Sequence, residues 1–534
     1  MSESSQSQSQ STVPRRGLLG SSIVVGTMTM LSRVLGLIRD VVFSRVIGAD
    51  GFADAFFVAF KIPNFLRRLF AEGAFSQAFI PVLAEYRDKG GNAVVRELTD
   101  RVAGALGSVL ILLTIFAVVA APMFTAVFAP GFLNDPEKFQ ATSDMIRVTF
   151  PYLLFISLTG LAGGILNSFD RFAVPAFTPV WLNVCLIGAA LVAAPWFAQP
   201  VYALAWGVFA AGIIQLLFQL PFLAAIHQLP RPRLDWGHSG VRQIMVLMLP
   251  AIFGVSVSQI NLLLDTVIAS FLPTGSVSWL YYSDRLAELP LGVFGVAVAT
   301  VILPGLSRQH VAKSPAAFNG TLNWAARFVL LVALPASVAL VIIAEPVLAA
   351  LFYDGVEISQ RDIAMSAWSL RAYALGVVAF MLIKVLAPGY FARQDMKSPV
   401  RIGIIAMAAN MVMNIAFVLP LHHYFALGHS GLALATTMSA FLNAGLLYRG
   451  LRRQQVFVPD SNWRKFIGAL IFANVIMAVV LLIGVEYVPD WFSLGGIERL
   501  LSVLVLCFAG LGMYLLVLLL CGLRPADFRH TATP

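Results

Sequence analysis

The sequence predicts an all-α polytopic membrane protein with about fourteen transmembrane helices. Three observations predict it. Hydrophobic residues make up 59% of the 534 positions and charged residues only 12%, about half the charged share of a soluble chain. Mean hydropathy is +0.83. The apolar residues fall in long uninterrupted blocks, each near the roughly 20 residues that a spanning helix needs, and blocks of that length fit helices and not the short strands of a barrel.

The elements follow in order. MSESSQSQSQST is a low-complexity Ser/Gln stretch that cannot bury a core, and 1–19 is expected to be a disordered cytoplasmic tail. PRRGLLGSSIVVGTMTM imitates a signal peptide, yet the apolar run continues into Arg33 without a small-residue cleavage pattern, so it begins an uncleaved first helix at 20–47. GADGFAD separates it from a second helix at 54–86. Helices at 101–128, 145–168, 174–195 and 201–226 complete a first half, with NDPEKFQATSD and PWFAQP among their turns. A second half runs through 241–271, 277–308, 321–352, 362–392, 399–419 and 431–451, broken by PTGS, YDGVEISQRD and PLHHYFALGHS. The last two helices, 464–486 and 497–522, flank EYVPDWFSLGGIE, and 523–534 is a second cytoplasmic tail.

Acids outnumber bases in the turns just quoted. The alternate turns instead carry Arg87, Lys89, Arg96, Arg171, Arg231, Arg233, Arg308, Lys313, Arg393, Lys397, Arg452 and Arg453. Short cytoplasmic loops hold the Lys/Arg excess, so both termini are expected in the cytoplasm. The net charge of +9 is this topology signal together with intramembrane arginines, and no nucleic-acid partner is expected.

Charge also enters the helices themselves. At about 100° per residue, Thr29, Ser32, Arg33, Gly36, Arg39 and Asp40 share an arc of about 120° on the first helix, while Arg45 points elsewhere and can snorkel. Lys61, Asn64, Arg68 and Glu72 form a stripe on the second, flanked by Arg67, and Pro63 is placed to bend it. A charge left in lipid costs roughly 2.5–3.5 kcal/mol, so such faces must look into protein or a wet cavity. The local acids are only Asp40, Asp54 and Glu72, and the second half adds Arg285 beside Asp284 and Glu288 in YYSDRLAELP. Surplus guanidinium asks for an anion, and a substrate with two phosphates would match several forks. The alternative is interhelical or i,i+4 ion pairing, as between Arg68 and Glu72, with Arg45 and Arg67 at the interface.

A second polar set comprises Asp265, Asn410, Asn414, Thr436, Thr437 and Ser439. A lone carboxylate among amide and hydroxyl oxygens suits a small hard cation or a proton relay; interhelical hydrogen bonding is the competing reading. Lys384 is one more intramembrane base. No G-x-x-x-x-G-K-[ST], H-E-x-x-H or G-x-S-x-G motif occurs, and the acids of the outer turns, Asp135, Glu137, Asp354 and Glu357, show no paired arrangement, so an enzyme is not expected. Cys185, Cys507 and Cys521 all lie in apolar runs, where a disulfide framework is not expected.

The halves echo one another. From Asp40 to Phe56 and from Asp265 to Tyr281 the step is 16 (56 − 40 and 281 − 265), each aspartate lying in a helix and each aromatic opening the next. Two six-helix lobes, 20–226 and 240–453, with two helices appended at 464–522, are expected.

The stretch from MTMLSRVLGLIRDVVFSRVIG through KIPNFLRRLFAEGAFSQAFIPVLAEY, with SVSWLYYSDRLAELPLGVFGVAVATVILPGLS and KVLAPGYFARQDMKSPV, closely resembles the MurJ/MviN lipid II flippases of the MOP exporter superfamily. The resemblance runs from about residue 20 to 529. It implies a MATE-like fold of two six-helix lobes around a central cavity, with 464–522 forming a lipid-tail groove. It carries substrate-binding roles onto Arg33, Arg39, Arg68 and Arg285, with Asp40, Asp54, Lys61, Arg67, Glu72, Asp284 and Lys384 as supporting cavity residues. It also implies a Na+ or H+ site at Asp265, Asn410, Asn414 and Thr437, with Asn414 standing where a second acid would be wanted.

The function implied is translocation of lipid II, the undecaprenyl-pyrophosphate-linked disaccharide pentapeptide, from the cytoplasmic to the periplasmic leaflet of the bacterial inner membrane by alternating access. No cofactor is implied, only coupling to membrane potential, Na+ or H+. The expected partners are lipid II, membrane lipids and the cell-wall synthesis machinery, and a monomer is expected. The alternatives are transport of another lipid-linked glycan and, from another class, a cell-wall enzyme.

Overall fold

The computed structural model describes residues 15–460, 462–488 and 490–524, without the side chains at 15–23, 70–72, 74, 253–255, 257, 258 and 294–301. Most of both expected tails and the side chain of Glu72 therefore lie outside the described residues. The described chain is helical throughout. Helix α1 (Arg15–Ile47) leads through a short turn to α2 (Gly51–Leu66), which Asp50 caps by accepting from the amide of Ala53.

No loop follows α2. It runs through a π-helical stretch, Arg67–Phe75, into α3 (Ser76–Val119), and the break expected between 86 and 101 is a bend at Gly91, whose φ of 65° a glycine adopts without strain. The polar residues near 91 mark this break: Gly91 has non-helical φ and ψ, and two helical segments meet there at a kink. Next come α4 (Ala121–Phe128) and then α5 (Pro136–Thr149), capped by Asp135, with α6 (Tyr152–Ser168) following across Pro151. The helix expected at 145–168 thus spans a break. Helices α7 (Ala173–Gly188) and α8 (Pro200–Ala225) close the first half.

In the second half, α9 (Ser239–Ala269) precedes α10 (Ser276–Pro290), which passes through another π-helical stretch, Leu291–Gly295, into α11 (Val296–Val311). There follow α12 (Pro315–Ile342), α13 (Ala344–Phe352), α14 (Gln360–Phe391), α15 (Lys397–Phe425) and α16 (Gly428–Arg453). The pair α17 (Trp463–Glu486) and α18 (Gly496–Leu520) packs on α12 and α13.

Among the described residues, ten helical segments are long and apolar enough to cross a membrane. The expected helices missing from that set are 20–47, 54–86, 241–271 and 277–308, the very ones that hold Arg39, Lys61, Asp265 and Arg285. Leu112, Val119, Val412, Leu419, Leu482 and Phe508 are exposed on the outside of the bundle, an apolar surface that only lipid covers without penalty. The chain is a multi-pass membrane protein.

The largest core joins the two halves near one end of the bundle. Phe43 meets Phe56 edge-on, Phe56 stacks on Phe60, and Phe57 stacks on Tyr281 with centroids 4.0 Å apart. Aromatic pairs of this kind add about 0.5–1.5 kcal/mol beyond their buried area. They hold α1, α2 and α10 together beside the charged residues.

Candidate functional site

The four charged helices wall a cavity of about 370 Å³. α1 contributes Arg39; α2 and its π-helical continuation contribute Lys61, Asn64, Arg67 and Arg68. From the second half come Asn261 and Asp265 on α9, Asp284, Arg285 and Glu288 on α10, Tyr373 on α14 and Thr436 on α16. Bases outnumber acids in this lining, five to three.

Behind the lining lies a bridge between the halves. Asp40, 2% exposed, accepts from Nε and Nη2 of Arg39 at 3.0 and 2.7 Å and from the Tyr281 hydroxyl at 2.8 Å. Its other oxygen faces Arg285 Nε at 3.7 Å. Arg39 also donates to Oδ1 of Asn183 on α7 and to the Tyr281 oxygen, each at 3.1 Å, while the Arg285 guanidinium lies over the Tyr281 ring. Asp40 thus faces two guanidiniums, and Arg285 Nη1 also reaches Glu288 at 3.4 Å. Arg39 is buried and Arg285 half-buried, so positive charge here is weakly screened, and a group bearing several anionic oxygens would suit it.

Other expected residues land elsewhere. Asp54 is not in the cavity wall. It is 1% exposed and accepts from Lys138 Nζ at 2.9 Å, the Gly275 amide at 2.8 Å, and the amide and hydroxyl of Ser278 at 2.9 and 2.7 Å. It thus clasps α2 and α5 to the start of α10, where unpaired amides favour an anion. Gly275 makes the approach possible: its φ is 95°, and a side chain there would strike the Trp279 ring. Lys384 is exposed and does not line the cavity. Arg33 does not line the cavity; its guanidinium lies against Gly292, in the π-helical stretch that follows α10.

The second polar set is brought together in part. Asp265 accepts from Asn414 Nδ2 at 2.7 Å and from the Thr436 hydroxyl at 3.4 Å. Thr437, expected there, instead donates to the carbonyl of Ala372, and Ser439 to that of Ala406. One residue turns a helix by about 100°, which suffices to exchange Thr437 for Thr436. Asn410 is fully buried, and neither of its amide atoms has a partner among the described residues. As arranged, the carboxylate accepts from two donors, while the Asn414 amide oxygen is buried without a partner among the described residues. Among the described residues no cluster of three or more His, Cys, Asp or Glu could hold a metal.

Sequence reasoning missed Asn183 and Lys138. A lone amide in the apolar run VWLNVCLIG was a signal for Asn183, because an unpaired amide is costly in lipid. Lys138 in NDPEKFQATSD reads as an ordinary loop charge, and nothing local marks it. Of the acids in the acidic turns, Asp135 caps α5 and Asp354 accepts three successive amides, from Val356 to Ile358.

The family profile described as "Lipid II flippase MurJ" matches residues 43–501. The "Probable lipid II flippase MurJ" of Vibrio cholerae serotype O1 is 48% identical over 525 residues, covering 97% of this chain and 98% of that protein. The "Lipid II flippase MurJ" of Burkholderia cenocepacia is 40% identical over 519 residues, covering 96% and 98%. A solved structure titled "Lipid II flippase MurJ, inward closed conformation" superposes with a TM-score of 0.77 at 26% identity, over 93% of this chain and 98% of that one. An inward-facing multidrug resistance MATE family transporter of the MOP superfamily gives 0.66 at 15% identity, over 81% and 98%, a likeness of fold alone.

Proposed function

This chain belongs to the lipid II flippase MurJ family, and from that premise we propose that its cavity holds the anionic head group of lipid II during passage between leaflets. It is a transporter and not an enzyme. The observation that carries the reading is the arrangement of Arg39 and Arg285 on either side of Asp40, facing one membrane-embedded cavity with Lys61, Arg67 and Arg68.

Sugar, peptide and pyrophosphate cannot cross hydrocarbon unaided, whereas a prenyl chain can stay in lipid beside the protein. The two phosphates would take over from Asp40 as the shared acceptor of Arg39 and Arg285, joining the halves through substrate. The halves 20–226 and 240–453 act as the two lobes of an alternating-access carrier, and 464–522 borders the prenyl tail. The basic turns put both termini in the cytoplasm of the inner membrane, so the Asp54 clasp lies at the outer end. At the inner end the polar ties are weaker: Tyr86 meets Ser239 at 3.0 Å and Gln243 donates to Glu85 at 3.2 Å, both exposed, beside an apolar contact of Val241 and Ile244 with Phe75, Leu98 and Val102. Exposed polar ties contribute about 1 kcal/mol or less, so the cavity opens inward before it opens outward.

Coupling through membrane potential or a proton fits the donor-satisfied Asp265 better than coupling through Na+. The inside-negative potential draws an emptied cationic cavity back toward the cytoplasm. The test is the leaflet position of lipid II in cells depleted of this protein, read with an externally supplied enzyme that cleaves the head group. Precursor that accumulates beyond the enzyme's reach supports the reading, and precursor that stays cleavable refutes it.

A further inference from the structure

Arg33 precedes Arg39 on α1 by six positions, and its guanidinium packs across the interface between the halves against Gly292. Gly292 lies in the π-helical stretch after α10, four residues beyond the cavity residue Glu288. A Cβ at 292 would overlap Nη1 and Cζ of Arg33, with Nη2 only 3.2 Å away. The groove that receives the guanidinium therefore exists because position 292 carries no side chain.

The internal repeat sharpens this. Phe56 to Tyr281 is a step of 281 − 56 = 225, and the same step carries Arg67 onto Gly292. Arg67 opens one π-helical stretch and Gly292 is the second residue of the other. The first half puts an arginine there that lines the cavity; the second puts a glycine there, and Arg33 fills the space. Glycine is a poor choice for helix stability, since alanine is the better helix former, so its presence here calls for a reason other than local folding.

We propose that Gly292 is a positioning residue for Arg33, leaving open the groove in which that guanidinium is held beside the cavity for the head group. This rests on the reading of the cavity as the lipid II site. A methyl group at 292 leaves the helix intact and pushes the guanidinium out.

The experiment measures lipid II affinity and thermal unfolding of the purified full-length protein for wild type, Arg33→Ala, Gly292→Ala and the double variant. One charge-assisted contact corresponds to roughly tenfold in affinity, so each single variant is expected to bind roughly tenfold more weakly. The double variant should bind no more weakly than Arg33→Ala alone, and Gly292→Ala should unfold no earlier than wild type. Wild-type affinity in Gly292→Ala beside a weakened Arg33→Ala overturns the proposal. So do losses that multiply in the double variant, or a Gly292→Ala protein of lowered stability. Wild-type affinity in Arg33→Ala overturns instead a role for Arg33 in binding lipid II, and leaves position 292 nothing to position.

Discussion

Replacing Asp54 with alanine removes the acceptor of four hydrogen bonds at once, one from Lys138 and three from Gly275 and Ser278. Only the last three join α2 to α10 and so distinguish a closed outer end from an open one. Lys138 belongs to α5, which packs along α2, and stays beside position 54 in either state. A hydrogen bond to a charged acceptor is worth about 1.5–3 kcal/mol, and three that share one carboxylate do not add fully, so about 3 kcal/mol is the working figure. That shifts the balance of closed and open states by about two orders of magnitude. The stranded Lys138 ammonium, 7% exposed, lowers overall stability as well, by about 3–5 kcal/mol. The assay is pulsed electron paramagnetic resonance in liposomes, with spin labels at the exposed positions Glu137 and Thr274. Wild type should give a short, narrow distance, and Asp54→Ala a broad and longer one. An unchanged distribution would refute the clasp and with it the order of opening derived from it.

Tyr281→Phe keeps the ring stacked on Phe57 and under Arg285 but loses the hydroxyl that joins Asp40 to Arg39; lipid II affinity should fall about tenfold with little loss of stability, as binding and melting measurements would show. Arg499, 4% exposed, donates to the carbonyls of Trp491, Ala349, Tyr353, Phe492 and Leu494 and ties the start of α18 to the end of α13. Arg499→Met should cost roughly 2–4 kcal/mol, and hydrogen exchange should rise across 490–499 if that tie matters. In the turns at the Asp54 end, partial burial pushes the Glu357 carboxyl up, with Asp354 and Asp50 adding to it, and burial also pushes up Asp50. A carboxyl held above its ordinary value opposes its surroundings at high pH and is relieved as pH falls through the raised value. Acidification below neutral, through these raised values, should therefore favour the closed state at the Asp54 end, and the same spin labels moving apart on acidification would contradict this.

Much of the architecture was legible because hydropathy is a property of a local stretch. The apolar blocks, the charged faces of 20–47 and 54–86, the Asp40 and Asp265 repeat and the family itself could all be read without coordinates. The polar stretch around Gly91 also marked a real break, where two helical segments meet at non-helical φ and ψ. The π-helical continuation of α2 was less legible, because nothing in the hydropathy of 67–75 marks it.

By itself the sequence determined that this is a membrane protein with bases in its interior, because the cost of charge in lipid depends on residue type and not on neighbours. Which of those charges meet was decided by tertiary structure. Asp40 and Tyr281 are 241 residues apart, Asp54 and Ser278 are 224 apart, and Asp265 and Asn414 are 149 apart. Asp54 became a clasp and not a cavity wall, Thr436 took the place expected of Thr437, and Arg33 found a groove at Gly292. Each outcome depends on how whole helices are set against one another, where a turn of about 100° per residue or the loss of one side chain changes the partner.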